Sequence, residues 1–172
     1  VVFGEVDGNK KLYYYWDNPT QKIRYFVLDY SAGLASTDFQ YAWLSEHISE
    51  LSSDWSVIIF NHIVLEKAAD TYVIPSAYAD FVTMLESHGD KVACVIGGHI
   101  HSDAIAYSSV LGIPFIACKQ DYVGSVAQSF AANALTMFDI DLSTNKIRMA
   151  RLGLRTIGWG TSIGKEIDMR PL

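Results

Sequence analysis

Two short apolar runs constrain the fold more than any other feature of this sequence. One extends from Val57 to Phe60 in "WSVIIFNH", and the other from Val92 to Ile96 in "KVACVIGGHIH". Neither run contains a charged residue, which is typical of strands that are covered on both faces in the sheets of α/β proteins. Histidines follow both runs. The sequence therefore predicts two buried strands with imidazoles at their carboxyl ends.

Helical patterns lie between these runs and before them. Apolar residues recur at helical spacing after Ser36, Thr37 and Asp38, any of which could be the N-cap, so we expect a helix at about 38–51. A second helix is expected over 76–89, between Pro75 and Gly89. The alternation of strand and helix predicts an α/β protein with a parallel or mixed sheet.

The flanking segments predict strands. Upstream, "KLYYYWDN" and "PTQKIRYFVLDY" indicate a hairpin around an Asp-Asn-Pro turn. Downstream, "AIAYSSV", "IPFIAC", "ALTMFDIDL" and "KIRMARLGL" predict a β-rich C-terminal part. The segment "RTIGWGTSIGKE" at 155–166 predicts a flexible loop, and the aromatic run "LYYYW" at 12–16 favours cross-strand packing over a ligand platform.

Composition sets limits on the class of protein. Half of the 172 residues are hydrophobic, which is enough for one domain, or a large portion of one, over residues 1–172. The net charge of −6, without a basic stripe, disfavours nucleic-acid binding except to a phosphodiester substrate. The sequence has no apolar run of about 18 residues, so we expect no membrane span and either a cytoplasmic protein or one whose leader is removed. Cys94 and Cys118 lie in apolar runs that predict core packing.

Three of the five histidines are candidates for metal binding. His99 and His101 follow a predicted strand, and in extended geometry their Cα atoms would lie about 6–7 Å apart on one side. If the strand before His62 is a neighbour, the three imidazoles address one volume, and imidazole suits zinc, iron and manganese. For His62 alone, a hydrogen-bonded packing role remains an equal alternative. His47 and His88 are expected to be exposed or capping residues.

These strands, with "FQYAWLSEHI" upstream, resemble the C-terminal half of the calcineurin-like metallophosphoesterases. In that family a Gln-x-x-Trp-Leu helix precedes a strand that ends in a metal-binding histidine, and a later strand ends in Gly-His-x-His. The resemblance extends from about Ile23 to Gly153. The matching positions are Gln40, Trp43, Leu44, His62, Gly98, His99 and His101.

The resemblance implies both a fold and an activity. The fold is the C-terminal half of a four-layer αββα sandwich with a mixed sheet. The activity is that of a hydrolase, a phosphoesterase in which two divalent metal ions (manganese, iron or zinc) activate water against a phosphomonoester or phosphodiester. In this scheme His62 and His99 bind one ion and His101 binds the other.

The sequence departs from the family in its carboxylates. It contains no Asp-x-His, Gly-Asp-x-x-Asp or Gly-Asn-His-Asp/Glu motif, and Asp103 and Asp121 are more typical of turns. Two divalent ions bring four positive charges and neutral histidines bring none, so a complete site needs carboxylates. We therefore expect the isolated chain to bind two metals poorly and to be inactive. We also expect it to associate with a missing N-terminal half or with a second copy, because one half alone exposes an apolar sheet face.

Two other interpretations remain open. The chain could be a non-catalytic binding or interaction domain whose histidines serve no catalysis, or an inactive fragment of the enzyme. "GGHIHSD" could instead be a phosphate-binding or nucleotide-binding loop, but it lacks the Gly-x-Gly-x-x-Gly spacing and a helix pattern after it.

Overall fold

The computed structural model describes residues 1–89, 91–119, 134–153 and 165–168. These residues contain two α-helices, α1 (Phe39–Ser49) and α2 (Ala79–Ser87), and two 3₁₀ turns, Tyr30–Ala32 and Ser76–Tyr78. The strands are β1 (Val2–Val6), β2 (Asn9–Asn18), β3 (Ile23–Val27), β4 (Ser56–Phe60), β5 (Glu66–Ala68), β6 (Thr71–Val73), β7 (Val92–Gly97), β8 (Ala104–Tyr107), β9 (Pro114–Ala117), β10 (Ala134–Asp141), β11 (Lys146–Gly153) and β12 (Lys165–Asp168).

Seven strands form one mixed sheet in the order β1-β2-β3-β4-β7-β9-β8. The central strands β3, β4, β7 and β9 are parallel neighbours. Antiparallel pairs extend the sheet at both edges, β1–β2–β3 on one side and β8–β9 on the other. The predicted mixed sheet is confirmed, and the two strands that precede the candidate histidines are direct neighbours.

Both helices pack on one face of this sheet. Ile48 of α1 and Phe81 and Leu85 of α2 are fully buried there against strand residues such as Phe26. Burying each of these side chains contributes about 1.5–3 kcal/mol. All three helix residues belong to the apolar spacing that predicted the helices.

A small antiparallel sheet of β10, β11 and β12 covers the other face. Ile147, Met149 and Ile167 pack there against Ile58 and Ile96 of the large sheet. The described residues thus form three layers, helices, large sheet and small sheet, and the predicted β-rich C-terminal part is confirmed.

The aromatic run in β2 is divided between the two faces. Tyr13 and Tyr15 are buried on the helical face, with ring centroids 4.9 and 5.9 Å from that of Trp43. On the other face Trp16 stacks on Tyr25 of β3, at 4.9 Å. The run packs across strands and against α1, as the alternation of a strand dictates.

Several local predictions differ from the structure. β1, β5 and β6 were not predicted. β5 and β6 have only three residues each, and no period can be read from so few. Part of the loop predicted for 155–166 is strand, since β12 begins at Lys165, and residues 155–164 lie outside the described residues. Asp38 is the N-cap of α1, but its carboxylate accepts a hydrogen bond from the Ala35 N–H (2.7 Å) instead of one from the helix.

Among the described helices, none is long and apolar enough to span a bilayer.

Candidate metal centre

The candidate site lies at the edge where the four parallel strands end. Backbone hydrogen bonds continue between the strands just beyond these ends, and they join Leu28 N to Phe60 O (2.9 Å), Asn61 N to Ile96 O (3.0 Å), Gly98 N to His62 O (3.0 Å) and Cys118 N to Gly97 O (2.8 Å). The loops after β3, β4, β7 and β9 therefore leave the sheet from one shared backbone frame. Ligands of α/β proteins bind at this edge of the sheet.

Gly97 lets the two histidine-bearing loops approach each other. A Cβ atom at this position would lie 2.1 Å from Asn61 O and 2.7 Å from Val64 Cγ1. At Gly98 the nearest atom to such a Cβ is Cys118 O at 3.8 Å, which is an ordinary contact. Of the Gly-Gly pair, only Gly97 is sterically required to be glycine.

His62 and His99 face each other across this junction. Their ring centroids are 5.3 Å apart, their planes are inclined by 78°, and both side chains are exposed. With metal–nitrogen distances of about 2.1 Å, two imidazoles on one tetrahedral ion have centroids about 5 Å apart. The centroid separation matches that of two imidazoles on one metal ion, and it equally matches an ordinary edge-to-face contact between two rings.

The backbone of the Gly-His-Ile-His motif is a turn, and the extended geometry predicted for it is wrong. β7 ends at Gly97, and both His99 (φ +69°) and His101 (φ +54°) adopt left-handed backbone conformations. A hydrogen bond from Ile100 N to Gly98 O (2.9 Å) closes the turn around His99. His101 is exposed, and within the described part of the chain it makes no hydrogen bond or ring contact. The structure thus brings His62 and His99 together and leaves His101 on the same turn without contact to either.

Left-handed conformations at two non-glycine residues are unfavourable. Each costs about 1–2 kcal/mol relative to an ordinary conformation. Such residues persist where surrounding contacts hold them, and they concentrate at ligand sites. Here the contacts from Gly98 N to His62 O and from Ile100 N to Gly98 O hold the turn.

Asn61 and Tyr78 form a polar network behind His62 that the sequence did not reveal. Asn61 is 5% exposed, and its Nδ2 donates to Ile63 O (2.7 Å) and to Tyr78 Oη (3.3 Å). Tyr78 Oη also donates to Ile63 O (3.1 Å), and burial raises the pKa of this phenol. The network fixes the backbone on both sides of His62. The only sequence signal was the polar Asn61 at the end of an apolar strand.

Gln40 fixes the loop that follows β3. Its side chain is 1% exposed, its Oε1 accepts from Asp29 N (2.7 Å), and its Nε2 donates to Asp29 O (3.0 Å) and Gly33 O (2.9 Å). Trp43 and Leu44, the other two residues of the predicted helix motif, pack in the core. The glutamine of this motif therefore holds the loop after β3, and the other two stabilise the helix against the sheet.

A cleft of about 470 Å³ opens beside His62, between the large and the small sheet. Its lining includes Asn61, Cys118, Lys119, Thr136 and Phe138. Two buried side-chain oxygens of its walls, Asn61 Oδ1 and Thr136 Oγ1, have no hydrogen-bond partner among the described residues. The cleft is thus largely apolar, and these two polar atoms of its walls are shielded from it.

Carboxylates do not complete the histidine pair within the described parts of the chain. No group of three or more His, Cys, Asp or Glu side chains there could hold a metal ion. Asp103 Oδ1 accepts from Lys119 N (2.8 Å), and Asp121 lies outside the described residues. Among the described residues the donor set therefore consists of two neighbouring imidazoles without an anionic ligand.

The remaining histidines and the cysteines have structural surroundings. His47 Nδ1 lies 2.9 Å from Glu50 Oε2, and His88 Nε2 lies 3.1 Å from Ser45 Oγ. Cys94 is fully buried, which raises the pKa of its thiol, and packs in the core as predicted, whereas Cys118 is half-buried and lines the cleft.

No protein-family model and no curated protein matches the chain. Its fold matches solved structures, and two of them are phosphatases. A dimetal phosphatase from Danio rerio has a TM-score of 0.60 and 17% identity, over 91% of this chain and 60% of that one. A purple acid phosphatase from seeds of yellow lupin (Lupinus luteus) has a TM-score of 0.60 and 10% identity, over 95% of this chain and 34% of that one.

The chain spans 60% and 34% of the lengths of these two neighbours, and at these identities the likeness concerns the fold. The layer order, the mixed sheet and the few helices agree with it. The described residues form a partial metallophosphoesterase-type fold.

Proposed function

We propose that this chain is the histidine-bearing part of a metal-dependent phosphoesterase, which hydrolyses a phosphomonoester or phosphodiester with metal-activated water. One observation carries the proposal: the imidazoles of His62 and His99 stand 5.3 Å apart at the ligand edge of a sheet whose structural neighbours are phosphatases. Both rings are exposed at that spacing, as a shared ion would require. A packing role for His62, whose ring also contacts that of Tyr30, stays the alternative.

In this proposal His62 and His99 bind one divalent ion and His101 binds a second. Manganese, iron and zinc all suit imidazole ligands. When bound, such ions polarise a phosphate and lower the pKa of a coordinated water. The chain's own residues orient the ligands: the network of Asn61 and Tyr78 fixes the backbone of His62, and Gly97 allows His99 to approach it.

The carboxylates of the site come, in this proposal, from outside the described residues. Two divalent ions need anionic ligands, and among the residues described no Asp or Glu joins the histidine pair. A longer form of this protein or a second copy would supply them, next to the cleft between the sheets.

Metal content and hydrolysis of bis(4-nitrophenyl) phosphate together test the proposal. Both are measured on the 172-residue chain and on a natural form extended toward the N-terminus. We expect metal-dependent hydrolysis in the longer form, with a loss of at least about 100-fold on His62→Ala or His99→Ala. His101→Ala is expected to reduce the metal content from about two ions to one.

His88→Gln is the matched control, because the His88 ring contacts Ser45 in the helical layer, away from the strand ends. Its metal content and activity should equal those of the wild type. If neither form hydrolyses the ester, or if hydrolysis is insensitive to the His62 and His99 substitutions, the phosphoesterase proposal is wrong.

A non-catalytic binding domain is the second candidate. It is favoured by the lack of a group of three metal-binding side chains in the described ranges. In that case metal content would be low in both forms, and His99→Ala would change neither the metal content nor the hydrolysis of the ester. The same two measurements therefore separate the candidates.

A further inference from the structure

We infer that Tyr30 is the specificity-determining residue of this site, and that it stacks on a planar aromatic group carried by the phosphate ester. The inference rests on the proposed function and adds the substrate class to it. The class is an ester or anhydride of phosphate with an aryl or nucleoside group, as opposed to a purely aliphatic one.

The first observation is a row of three rings. The Tyr30 ring lies 5.9 Å from that of His62 at an inclination of 68°, and the His62 ring lies 5.3 Å from that of His99. The three residues follow β3, β4 and β7, which are adjacent parallel strands. Tyr30 thus flanks the point where the two imidazoles converge.

The second observation is that Tyr30 is exposed on a rigid frame. Its side chain is 57% exposed, although it begins a 3₁₀ turn whose neighbouring residues are held by hydrogen bonds. Asp29 Oδ1 accepts from Ser31 N (2.9 Å) and Ser31 Oγ (2.7 Å), and the buried amide of Gln40 holds the loop at Asp29 and Gly33. Leu28 N, just before the loop, is tied to Phe60 O (2.9 Å).

An exposed aromatic ring on a fixed backbone is suited to binding a ligand. The backbone around Tyr30 has already lost its conformational freedom, so stacking costs only the rotamer freedom of the side chain itself. Stacking of a ligand ring on an aromatic side chain contributes about 0.5–1.5 kcal/mol. Because the ring borders His62, a phosphate held at the imidazoles would place its ester group toward Tyr30.

Phosphonates test this inference through binding, because their P–C bond is not hydrolysed. The natural full-length protein is loaded with Mn²⁺, and its affinities for phenylphosphonate and methylphosphonate are measured by calorimetry. We expect the wild type to prefer the phenyl compound, and Tyr30→Ala to reduce that preference about two- to twelvefold with the methylphosphonate affinity unchanged. Tyr30→Phe should retain the preference, since the ring remains.

Tyr107→Ala is the matched control. Tyr107 is 53% exposed, and it pairs with Pro114, the first residue of β9. It therefore lies at the end of the sheet opposite the strand ends that carry the histidines. Its substitution should leave both affinities unchanged. A second pair, adenosine 5′-monophosphate and ribose 5-phosphate, is compared by the KM for hydrolysis, because the Mn²⁺-loaded protein would cleave both esters. An effect of Tyr30→Ala confined to this pair indicates a nucleoside group, and one confined to the phosphonates indicates a simple aryl group.

The outcomes separate this inference from the proposed function. If Mn²⁺ loads and both phosphonates bind, but Tyr30→Ala leaves the ratio of affinities unchanged, the inference on Tyr30 is wrong and the metal site stands. An equal loss for both phosphonates would show a merely structural role and also overturns it. If no phosphonate binds the Mn²⁺-loaded wild type, the proposed function fails and this inference fails with it.

Discussion

Substitution of Gly97 by alanine tests the close approach of the two histidine-bearing loops. The added Cβ would lie 2.1 Å from Asn61 O and 2.7 Å from Val64 Cγ1. The first of these neighbours is backbone, which cannot rotate away as a side chain can. The loops after β4 and β7 would therefore have to separate by more than 1 Å to restore an ordinary contact of about 3.4 Å.

The cost follows from this separation. Overpacking in a well-packed region costs about 1–3 kcal/mol. The hydrogen bonds from Asn61 N to Ile96 O and from Gly98 N to His62 O flank the contact, and weakening each of them costs up to about 1 kcal/mol more. We expect Gly97→Ala to lower the free energy of unfolding by about 2–5 kcal/mol, which corresponds to a fall in Tm of roughly 5–15 °C.

Urea unfolding followed by circular dichroism measures this effect, and Gly98→Ala is its control. A Cβ at Gly98 would meet only Cys118 O at 3.8 Å, so this variant should be as stable as the wild type within about 0.5 kcal/mol. The two glycines are adjacent and chemically identical, which isolates the steric effect. Equal destabilisation of both variants, or a stable Gly97→Ala, would refute the argument.

Two further predictions concern polar groups. Gln40→Leu removes three hydrogen bonds from a buried site and should lower the free energy of unfolding by about 2–4 kcal/mol. Its control, Gln21→Leu at an exposed turn, should change that free energy by less than about 0.5 kcal/mol. Similar effects of the two substitutions in urea unfolding would contradict a stabilising role of the buried Gln40 side chain. Hydrogen bonds from Ser143 hold the pKa of Asp141 at about 2. A carboxyl group with a lowered pKa in the folded state stabilises the fold at pH values above its unfolded pKa of about 3.9. The difference in the free energy of unfolding between the wild type and Asp141→Asn should therefore be constant above about pH 5 and vanish as the pH falls toward 2. A difference that does not depend on pH in unfolding titrations would contradict this prediction.

The fold could be predicted from the sequence where periods were long enough to read. The runs before His62 and His99 predicted buried strands, and the helical spacing of Ile48, Phe81 and Leu85 predicted the residues that pack on them. Strands of three residues, such as Glu66–Ala68, carry no such period, and their pairing depends on tertiary contacts. The short hairpin therefore could not be predicted.

The site was predictable in its residue types but not in its backbone. His62 and His99 were expected to meet because parallel strands end at one edge, and their rings do meet. The left-handed turn at His99 could not be predicted, because histidine seldom adopts it and nothing in the local sequence requires it. Tyr30 was not singled out, since its role depends on a loop held by Gln40, ten positions later in the chain.

Under the proposed function, metal binding and assembly are linked equilibria. Two neutral imidazoles cannot balance the charge of divalent ions, and within the described residues no carboxylate joins them. If the carboxylates arrive on a separate segment or a second copy, each bound ion contacts both parts and stabilises their association. Thermodynamic linkage then requires that association strengthen metal binding by the same factor by which metal binding strengthens association. The ratio of the metal affinities measured with and without the missing ligands is therefore the factor by which metal binding strengthens that association.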